Sequence, residues 1–456
     1  MFYCRINNHL KGAFDILRLG FWYIYTHTHT HNCVLITSLF SFKLWMGAHP
    51  KGDALIKDNR ISQRTLGQWI ADFPGCLGSK VKDTFHGQLP FLFKVLSVKT
   101  ALSIQAHPNR ELAARLHAQF PEHYPDNNHK PEMAIALTQF EGLCGFRPMD
   151  EILGFLKNVP EFRALVGNEA AEELQSADGD PGRTSLALKK CFTRMMNCEK
   201  KLFVDQLNML VKRISEEGER KPCRTSTPSC AIMLFRFYRL CPLSSDETGL
   251  ACSSVPEAAG KDTSGSNGEL LLRLHSQYPG DIGCFSIYFL NRILLQPGEA
   301  MFLGANEPHA YLSGDCVECM ACSDNTVRAG LTPKYIDVDT LCEMLNYSPA
   351  PVSAKLFPCV RDNADPCVYL YDPPVPDFTV MRVQIPVSAR QYTVSALDSA
   401  GILLVIDGEA VATSAAALSD ITLTPGSVLF ISANESVSLQ VTSPSGMTMF
   451  RACCLL

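Results

Sequence analysis

The stretch from Ser103 to Glu132 constrains the fold most, because it places polar side chains where the chain is expected to be buried sheet. The run just before it, Phe91–Val98, is apolar and β-branched, which predicts a buried strand. If strand geometry resumes at Ser103, the two-residue period puts Ser103, Gln105 and His107 on one face. Three buried polar side chains on one face need a common partner.

Glu132 opens the next apolar run, Met133–Leu137, and Lys130 falls on the same side of that predicted strand. An imidazole, an amide oxygen and a carboxylate together suit a borderline divalent metal such as zinc. Taken alone, the stretch also fits a simpler interpretation, in which Gln105 and His107 are hydrogen-bonded polar residues of a core beside a helix.

Composition excludes several classes of function. With 456 residues the chain is long enough for two or three domains, and 46% hydrophobic with 19% charged residues is typical of a globular protein. A net charge of -5 gives no electrostatic basis for binding nucleic acid or an anionic membrane. The 19 cysteines are scattered, mostly inside apolar runs, which favours free thiols in a reducing cytoplasm. We therefore expect a cytoplasmic protein without nucleic-acid or membrane partners.

The N-terminal residues, 1–42, differ from the rest of the chain. They contain the strict two-residue repeat Thr26–His31 and two apolar patches shorter than the roughly 20 residues of a membrane helix. The repeat is a metal-binding histidine tract on one interpretation. On the other, which we adopt, 1–42 is an atypical leader without settled structure.

Beyond residue 149 the apolar period becomes helical. Val204, Leu207, Val211 and Ile214 form one stripe of an amphipathic helix, which predicts a helical insertion over 150–277. Within it, 221–267 is rich in Ser, Pro and Gly and is expected to be irregular. Strands are predicted to resume with the apolar run Cys284–Leu290.

The C-terminal part, 336–456, alternates short apolar runs with turn signals, which indicates an all-β sandwich or barrel. A helix capped by Asp339 is predicted near its start. An internal repeat supports the β assignment, since the segment from Leu295 to Glu307 matches that from Leu423 to Glu435. In this register His309 falls opposite Val437. We infer that the first copy is active and the second is structural.

Gln105, His107, Glu132 and His309 make up a nitrogen and oxygen ligand set that zinc accepts. Downstream of them, a polar turn is followed by Arg328 and Lys334. Two cations beside a metal suit a phosphate group, the arginine by bidentate contact and the lysine as a point charge. The alternative for each cation is a surface ion pair.

Four motifs together resemble the type I phosphomannose isomerases. They are Gln105-Ala106-His107-Pro108, His129-Lys130-Pro131-Glu132-Met133, Pro308-His309-Ala310-Tyr311-Leu312 and Asp324-Asn325-Thr326-Val327-Arg328-Ala329-Gly330. The resemblance runs from about residue 43 to the C-terminus, apart from 221–267. It implies a mainly β protein with a cupin-type jelly-roll catalytic domain (43–149 and 278–335), the helical insertion and a second, C-terminal jelly roll.

The resemblance also implies a function. A monomer with one zinc per chain would interconvert mannose 6-phosphate and fructose 6-phosphate, supplying mannose for GDP-mannose and glycosylation. The implied metal ligands are Gln105, His107, Glu132 and His309, and Arg328 is the active-site arginine. Our hypothesis for the proton transfer is Lys130 or Asp324. Substrate contacts are expected from Ser103, Tyr311 and Lys334.

The chain departs from the family pattern in its N-terminal part. The usual Gln-x-Tyr-x-Trp-Gly strand is absent from 1–42, and Lys43 stands where the family has a glutamate. One alternative is therefore a catalytically impaired isoform that binds metal and sugar phosphate. Another is an iron dioxygenase on the same fold, but that chemistry usually uses two histidines and one carboxylate with open positions.

Overall fold

The computed structural model describes residues 2–5, 42–57, 64–177, 179–219, 265–415 and 420–456. Within these ranges the chain is mainly β, and its strands pair antiparallel into sheets of eight, ten and four strands. A group of helices separates the two β regions of the catalytic part along the chain. The predicted fold class, mainly β with a helical insertion, is confirmed.

The strands are β1 (Phe2–Arg5), β2 (Phe42–Met46), β3 (Leu55–Lys57), β4 (Phe91–Val98), β5 (Ile104–Ala106), β6 (Glu132–Ala136), β7 (Phe140–Phe146), β8 (Leu290–Leu295), β9 (Ala300–Leu303), β10 (His309–Ala321), β11 (Val327–Gly330), β12 (Leu356–Phe357), β13 (Val360–Arg361), β14 (Val368–Tyr371), β15 (Thr379–Ile385), β16 (Gln391–Val394), β17 (Gly401–Asp407), β18 (Ala410–Thr413), β19 (Ile421–Leu423), β20 (Val428–Ile431), β21 (Val437–Val441) and β22 (Met447–Cys453). The α-helices are Leu66–Asp72, Ser79–Thr84, Arg110–Gln119, Met149–Asn158, Pro160–Val166, Asn168–Ser176, Pro181–Met196, Lys200–Glu219, Gly268–Gln277, Gly283–Ser286 and Val338–Met344.

Strand β10 organises the ten-stranded sheet. Its first half pairs with β5 and β7, and its second half pairs with β4 and β6. Gly314 lies between the halves at φ +102°, where a Cβ would come within 2.4 Å of the Gln139 carbonyl oxygen, so only glycine fits. One continuous strand therefore belongs to both walls of the folded sheet.

Side chains alternate in direction along each strand, so half of them face the interior of the folded sheet and half face outward. The two walls of the folded sheet each have an outer face. Ala310 and Leu312 on β10 point outward and pack with the helices, whereas His309 between β5 and β7 points inward. Met133 and Ile135 on β6 point to the opposite outer face, in a core shared with the eight-stranded sheet. The inside holds the polar residues at one end of the strands, beside a smaller apolar cluster that includes Leu96, Ala136 and Phe140.

The helical insertion buries the stripe that the sequence predicts. Leu207 and Ile214 of the helix Lys200–Glu219 are buried, and Val211 packs against the same core. This core is continuous with Ile104 of β5. The helices therefore pack against the wall of the sheet that contains β5, the strand that carries Gln105.

The prediction of a strand over Cys284–Leu290 is wrong for most of its length. Gly283–Ser286 forms a short helix and β8 begins only at Leu290. Residues 284–290 are buried on every side, so they show no period that distinguishes helix from strand. The predicted cap at Asp339 is also wrong, because Asp337 accepts the capping hydrogen bond and Asp339 lies in the first turn.

The internal repeat is visible in the backbone. Gly298 and Gly426 both have φ +87°, and Asn306 and Asn434 have φ +64° and +61°. His309 and its counterpart Val437 are both fully buried. The C-terminal copy packs the eight-stranded sheet against the four-stranded sheet, with an apolar core between them.

Two predicted segments fall largely outside the described residues. Of the leader 1–42, the structure describes β1 and Phe42, and β1 differs from the prediction because it pairs with β20 and β3. The histidine repeat Thr26–His31 and residues 221–264 lie outside the described ranges. Strand β12 lies within 336–456 but pairs with β9 of the ten-stranded sheet. The predicted domain boundaries remain a prediction.

Removing the ring of Phe289 tests how the helices are joined to the sheet. Phe289 is fully buried, and its centroid lies 4.9 Å from that of Phe162 and 5.5 Å from that of Phe192, both on helices. We expect Phe289→Ala to lower the free energy of unfolding by about 3–5 kcal/mol, measured by urea denaturation. Leu186→Ala, at a residue 71% exposed, is the control and should change it by less than about 0.5 kcal/mol. A loss below about 1 kcal/mol for Phe289→Ala would contradict this packing.

Candidate metal centre and its cavity

Three buried side chains converge inside the folded sheet. His107 follows β5, Glu132 opens β6 and His309 opens β10. The Nε2 atoms of His107 and His309 each lie 3.4 Å from a different carboxylate oxygen of Glu132. One ligand atom from each residue lies within 4.8 Å of the others. This spacing suits three ligands around a single cation.

Gln105 completes the predicted set of four. It is the register partner of both His309 and Arg328, since β5 lies between β10 and β11. Its side-chain Nε2 is 3.5 Å from His309 Nε2. Because the two ends of an amide group are nearly indistinguishable in shape, a flip presents the oxygen to the same point. The structure therefore brings together all four residues predicted as metal ligands.

Backbone carbonyl groups fix the orientation of both imidazoles. His107 Nδ1–H donates to the carbonyl oxygen of Asn325 at 2.7 Å, and His309 Nδ1–H donates to that of Glu307 at 2.9 Å. Each Nε2 is then the unprotonated nitrogen and faces Glu132. A metal-binding histidine is usually held in this way.

A bound cation would satisfy the polar atoms of these side chains better than the side chains satisfy one another. His107 Nε2 and Glu132 Oε2 are buried and have no hydrogen-bond partner in the part of the chain that the structure describes. Buried polar atoms without partners are unfavourable, and a shared divalent cation would satisfy both. The two nitrogens, the carboxylate and the amide form a donor set that zinc accepts.

The charge states also suit metal binding. Burial, reinforced by the charge of Lys130, lowers the pKa of His107 to about 4, so the imidazole is neutral at pH 7. Burial raises the pKa of Glu132, but the adjacent charge of Lys130 counters it, and that pKa lies well below its usual value. The site therefore presents one carboxylate and, at His107, a neutral imidazole.

A cavity of about 640 Å³ adjoins this group, and Gln105 and Glu132 line it. Its size is ordinary for a small-molecule site. The other residues predicted for catalysis or substrate binding also line it: Ser103, Lys130, Tyr311, Asp324, Arg328 and Lys334. Residues from distant parts of the sequence thus line one cavity.

Two cations in the cavity are available for an anion. Within the described ranges, the side chains of Arg328 and Lys334 form neither a hydrogen bond nor an ion pair. Burial lowers the pKa of Arg328, although an arginine stays charged at neutral pH. The described part of the chain therefore gives no support to the alternative of surface ion pairs for these two residues.

The two residues predicted for proton transfer occupy different surroundings. Lys130 Nζ lies 2.9 Å from Glu132 Oε1, directly beside the candidate metal group. Asp324 pairs with Lys51 at 2.9 Å and lies 3.6 Å from His49 Nε2. Only Lys130 contacts a predicted metal ligand.

Sequence reasoning missed a buried ion pair in the cavity wall. Lys94 Nζ is 2.5 Å from Glu318 Oε2, and the two residues are register partners on β4 and β10. Trp45 lies over the same lysine, with its ring centroid 5.3 Å from Nζ. A signal was present, because each charged residue interrupts an apolar run. Their mutual pairing, however, depends on the strand register.

Comparison with family models supports the assignment made from the motifs. Three models match: the phosphomannose isomerase type I catalytic domain at residues 40–149, its helical insertion domain at 165–241 and 245–290, and its C-terminal domain at 369–413. Among the described residues, no helix is both long and apolar enough to span a lipid bilayer.

Curated relatives cover nearly the whole chain. Mannose-6-phosphate isomerase from Bos taurus is 60% identical over 415 residues, which are 91% of this chain and 89% of the relative. Mannose-6-phosphate isomerase from Homo sapiens is 57% identical with the same coverage.

Solved structures agree with the sequence relatives. A point mutant of phosphomannose isomerase from Salmonella typhimurium and a zinc-bound mannose 6-phosphate isomerase each superpose with a TM-score of 0.69. Both are 28% identical to this chain, with 91% of each chain covered. The predicted enzyme family is confirmed: the chain belongs to the type I phosphomannose isomerases.

Proposed function

We propose that the chain is a zinc-dependent aldose–ketose isomerase that interconverts mannose 6-phosphate and fructose 6-phosphate. The observation that carries the proposal is the convergence of His107, Glu132 and His309 beside a cavity lined by Arg328 and Lys334, neither of which has an ion-pair partner among the described residues. The names of the relatives and a zinc-bound structural neighbour support it. As part of the same proposal, the chain acts as a cytoplasmic monomer and supplies mannose for GDP-mannose and glycosylation.

Gln105, His107, Glu132 and His309 would hold one zinc per chain. Zinc supplies a Lewis acid there, which stabilises negative charge developing on the sugar oxygens. The protein's own contribution is a dry, oriented site, since both histidines are fully buried and fixed by backbone carbonyls.

Isomerisation moves a proton between C1 and C2 of the sugar through an enediol, so a base must reach both carbons. Lys130 is the better placed candidate, because it lies beside the predicted metal ligand Glu132, whereas Asp324 pairs with Lys51 away from the ligands. Arg328 would stabilise the enediolate or the phosphate. Lys334 would contact the phosphate, and Ser103 and Tyr311 would contact the sugar.

A catalytically impaired sugar-phosphate-binding protein is the second candidate. It is favoured by Lys43, which lines the cavity where the family carries a glutamate and so reverses one charge of the wall. Burial lowers the pKa of Lys43, partly opposed by Glu318. An iron dioxygenase is a weaker fit, because Gln105 adds a fourth ligand and Arg328 and Lys334, which suit a phosphate group, line the cavity.

Metal removal should abolish turnover. Dialysis against a chelator is expected to remove isomerase activity on mannose 6-phosphate in a coupled assay, and added zinc should restore it, because the cation supplies the electrophile. Zinc should also raise the unfolding temperature of the metal-free protein, since ligands that bind only the folded state stabilise it. Zinc binding without turnover would support the second candidate instead. Full activity in the metal-free protein would refute the proposal.

Lys130→Met tests the proton transfer. The variant should exchange the C2 proton of the substrate with deuterated solvent about 100-fold more slowly or worse, because the base is lost. Exchange is measured by NMR on zinc-loaded protein of confirmed metal content. Lys189→Met, at a residue that pairs with Glu343 on the surface, is the control and should exchange at the wild-type rate. An unchanged rate in Lys130→Met would exclude this lysine.

Arg328→Gln tests the cationic side of the cavity. Removing the charge should lower kcat/KM about 100- to 1,000-fold, the range typical of losing one group that stabilises an anionic transition state. Steady-state kinetics on mannose 6-phosphate measure this. Arg115→Gln, on the exposed side of the helix Arg110–Gln119, should behave like the wild type. Equal losses in the two variants would mean that Arg328 acts through general charge rather than position.

A further inference from the structure

The carboxylate of Asp126 is unusually rich in hydrogen bonds for a loop residue outside the cavity. Its Oδ1 accepts from Ser323 Oγ at 2.8 Å, from the Asn128 amide at 3.0 Å and from Asn325 Nδ2 at 3.1 Å. Its Oδ2 accepts from the Asp324 amide at 2.8 Å. Three of the four donors belong to consecutive residues of the loop between β10 and β11.

This loop provides the carbonyl group that orients His107. Asn325 is fully buried, and its carbonyl oxygen accepts the Nδ1–H of His107 at 2.7 Å. The Asn325 side chain donates at 2.7 Å to the Asp126 carbonyl and at 2.9 Å to the Asn128 carbonyl. The acceptor of His107 therefore belongs to a backbone segment whose position is fixed from the Asp126 loop.

The same segment continues into the cavity wall. Asp324 and Thr326 line the cavity, and β11 begins at Val327 and carries Arg328. A shift of the loop would therefore move the carbonyl that orients His107 and the start of the strand that carries Arg328. Neither His107 nor Arg328 touches Asp126 through a hydrogen bond among the described residues.

We propose that Asp126 is a positioning residue for the metal centre. Its carboxylate fixes the Asn325 carbonyl, and that carbonyl sets the tautomer and ring orientation of His107. The proposal deepens the proposed function, on which it rests, by assigning a role to a residue that contacts neither metal nor substrate. Groups that orient a metal-binding histidine typically change metal affinity 10- to 100-fold when they are removed.

The test is zinc affinity in the full chain, measured by competition with a chromophoric chelator. Asp126→Asn keeps the shape of the side chain but turns one acceptor oxygen into a donor, so at least one N–H or O–H loses its partner. We expect the zinc dissociation constant to rise about 10-fold or more in Asp126→Asn. Asp126→Glu keeps the carboxylate and should recover part of the loss.

A second readout separates positioning from stability. Cobalt(II) in place of zinc gives visible absorption bands that depend on ligand geometry, so a tilted His107 should change the bands of Asp126→Asn. Asp180→Ala is the stability control, because Asp180 also accepts two backbone N–H groups but caps a helix in the insertion, where loss of the cap destabilises the fold. It should lower the unfolding temperature and leave the zinc constant and cobalt spectrum unchanged.

If Asp126→Asn does not fold, Ser323→Ala removes one donor to the same carboxylate and the acceptor of the Asn325 amide, and should raise the zinc dissociation constant through the same loop. A zinc constant within twofold of the wild type and an unchanged cobalt spectrum, in whichever variant folds, would overturn the positioning role. Failure of the wild type itself to bind zinc would refute the proposed function instead, so the two failures are distinguishable.

Discussion

The site depends on a buried carboxylate that remains ionised. Glu132 is only 1% exposed, which by itself favours the neutral acid. The charge of Lys130, whose Nζ lies 2.9 Å from Glu132 Oε1, reverses that preference. A negative charge held in a low-dielectric interior attracts a cation far more strongly than the same charge in water. Other residues around the site supply the remaining predicted metal ligands or fix the orientation of those ligands.

The geometry follows from one long strand. Because β10 pairs with β5 in its first half and with β6 in its second half, it brings the segment around Gln105 and the start of β6 to the same interior. The outer faces of these strands are buried by the helices on one side and by the eight-stranded sheet on the other. Apolar packing on both outer faces, together with a smaller apolar cluster inside, therefore holds the polar groups of the site in place.

Much of this could be predicted from the sequence, because the relevant signals are local. Two-residue alternation places Gln105 and His107, motif spacing places Glu132 and His309, and the repeat anticipates a second β unit. Other features are set by tertiary contacts. The run after Gly283 is apolar on every side and shows no period, so its short helix was missed. The pairing of Lys94 with Glu318 required the register of two strands 224 residues apart in sequence.

The ligand set is also spread along the chain in a way that matters during synthesis. Gln105 and His309 are 204 residues apart, and the helical insertion lies between them. At ordinary translation speeds the ribosome adds those residues in roughly 10 to 40 s. For most of that time the chain contains Gln105, His107 and Glu132 but not the fourth predicted ligand. Selectivity for the metal can therefore be imposed only once His309 has been added and the cavity can close around a single ion.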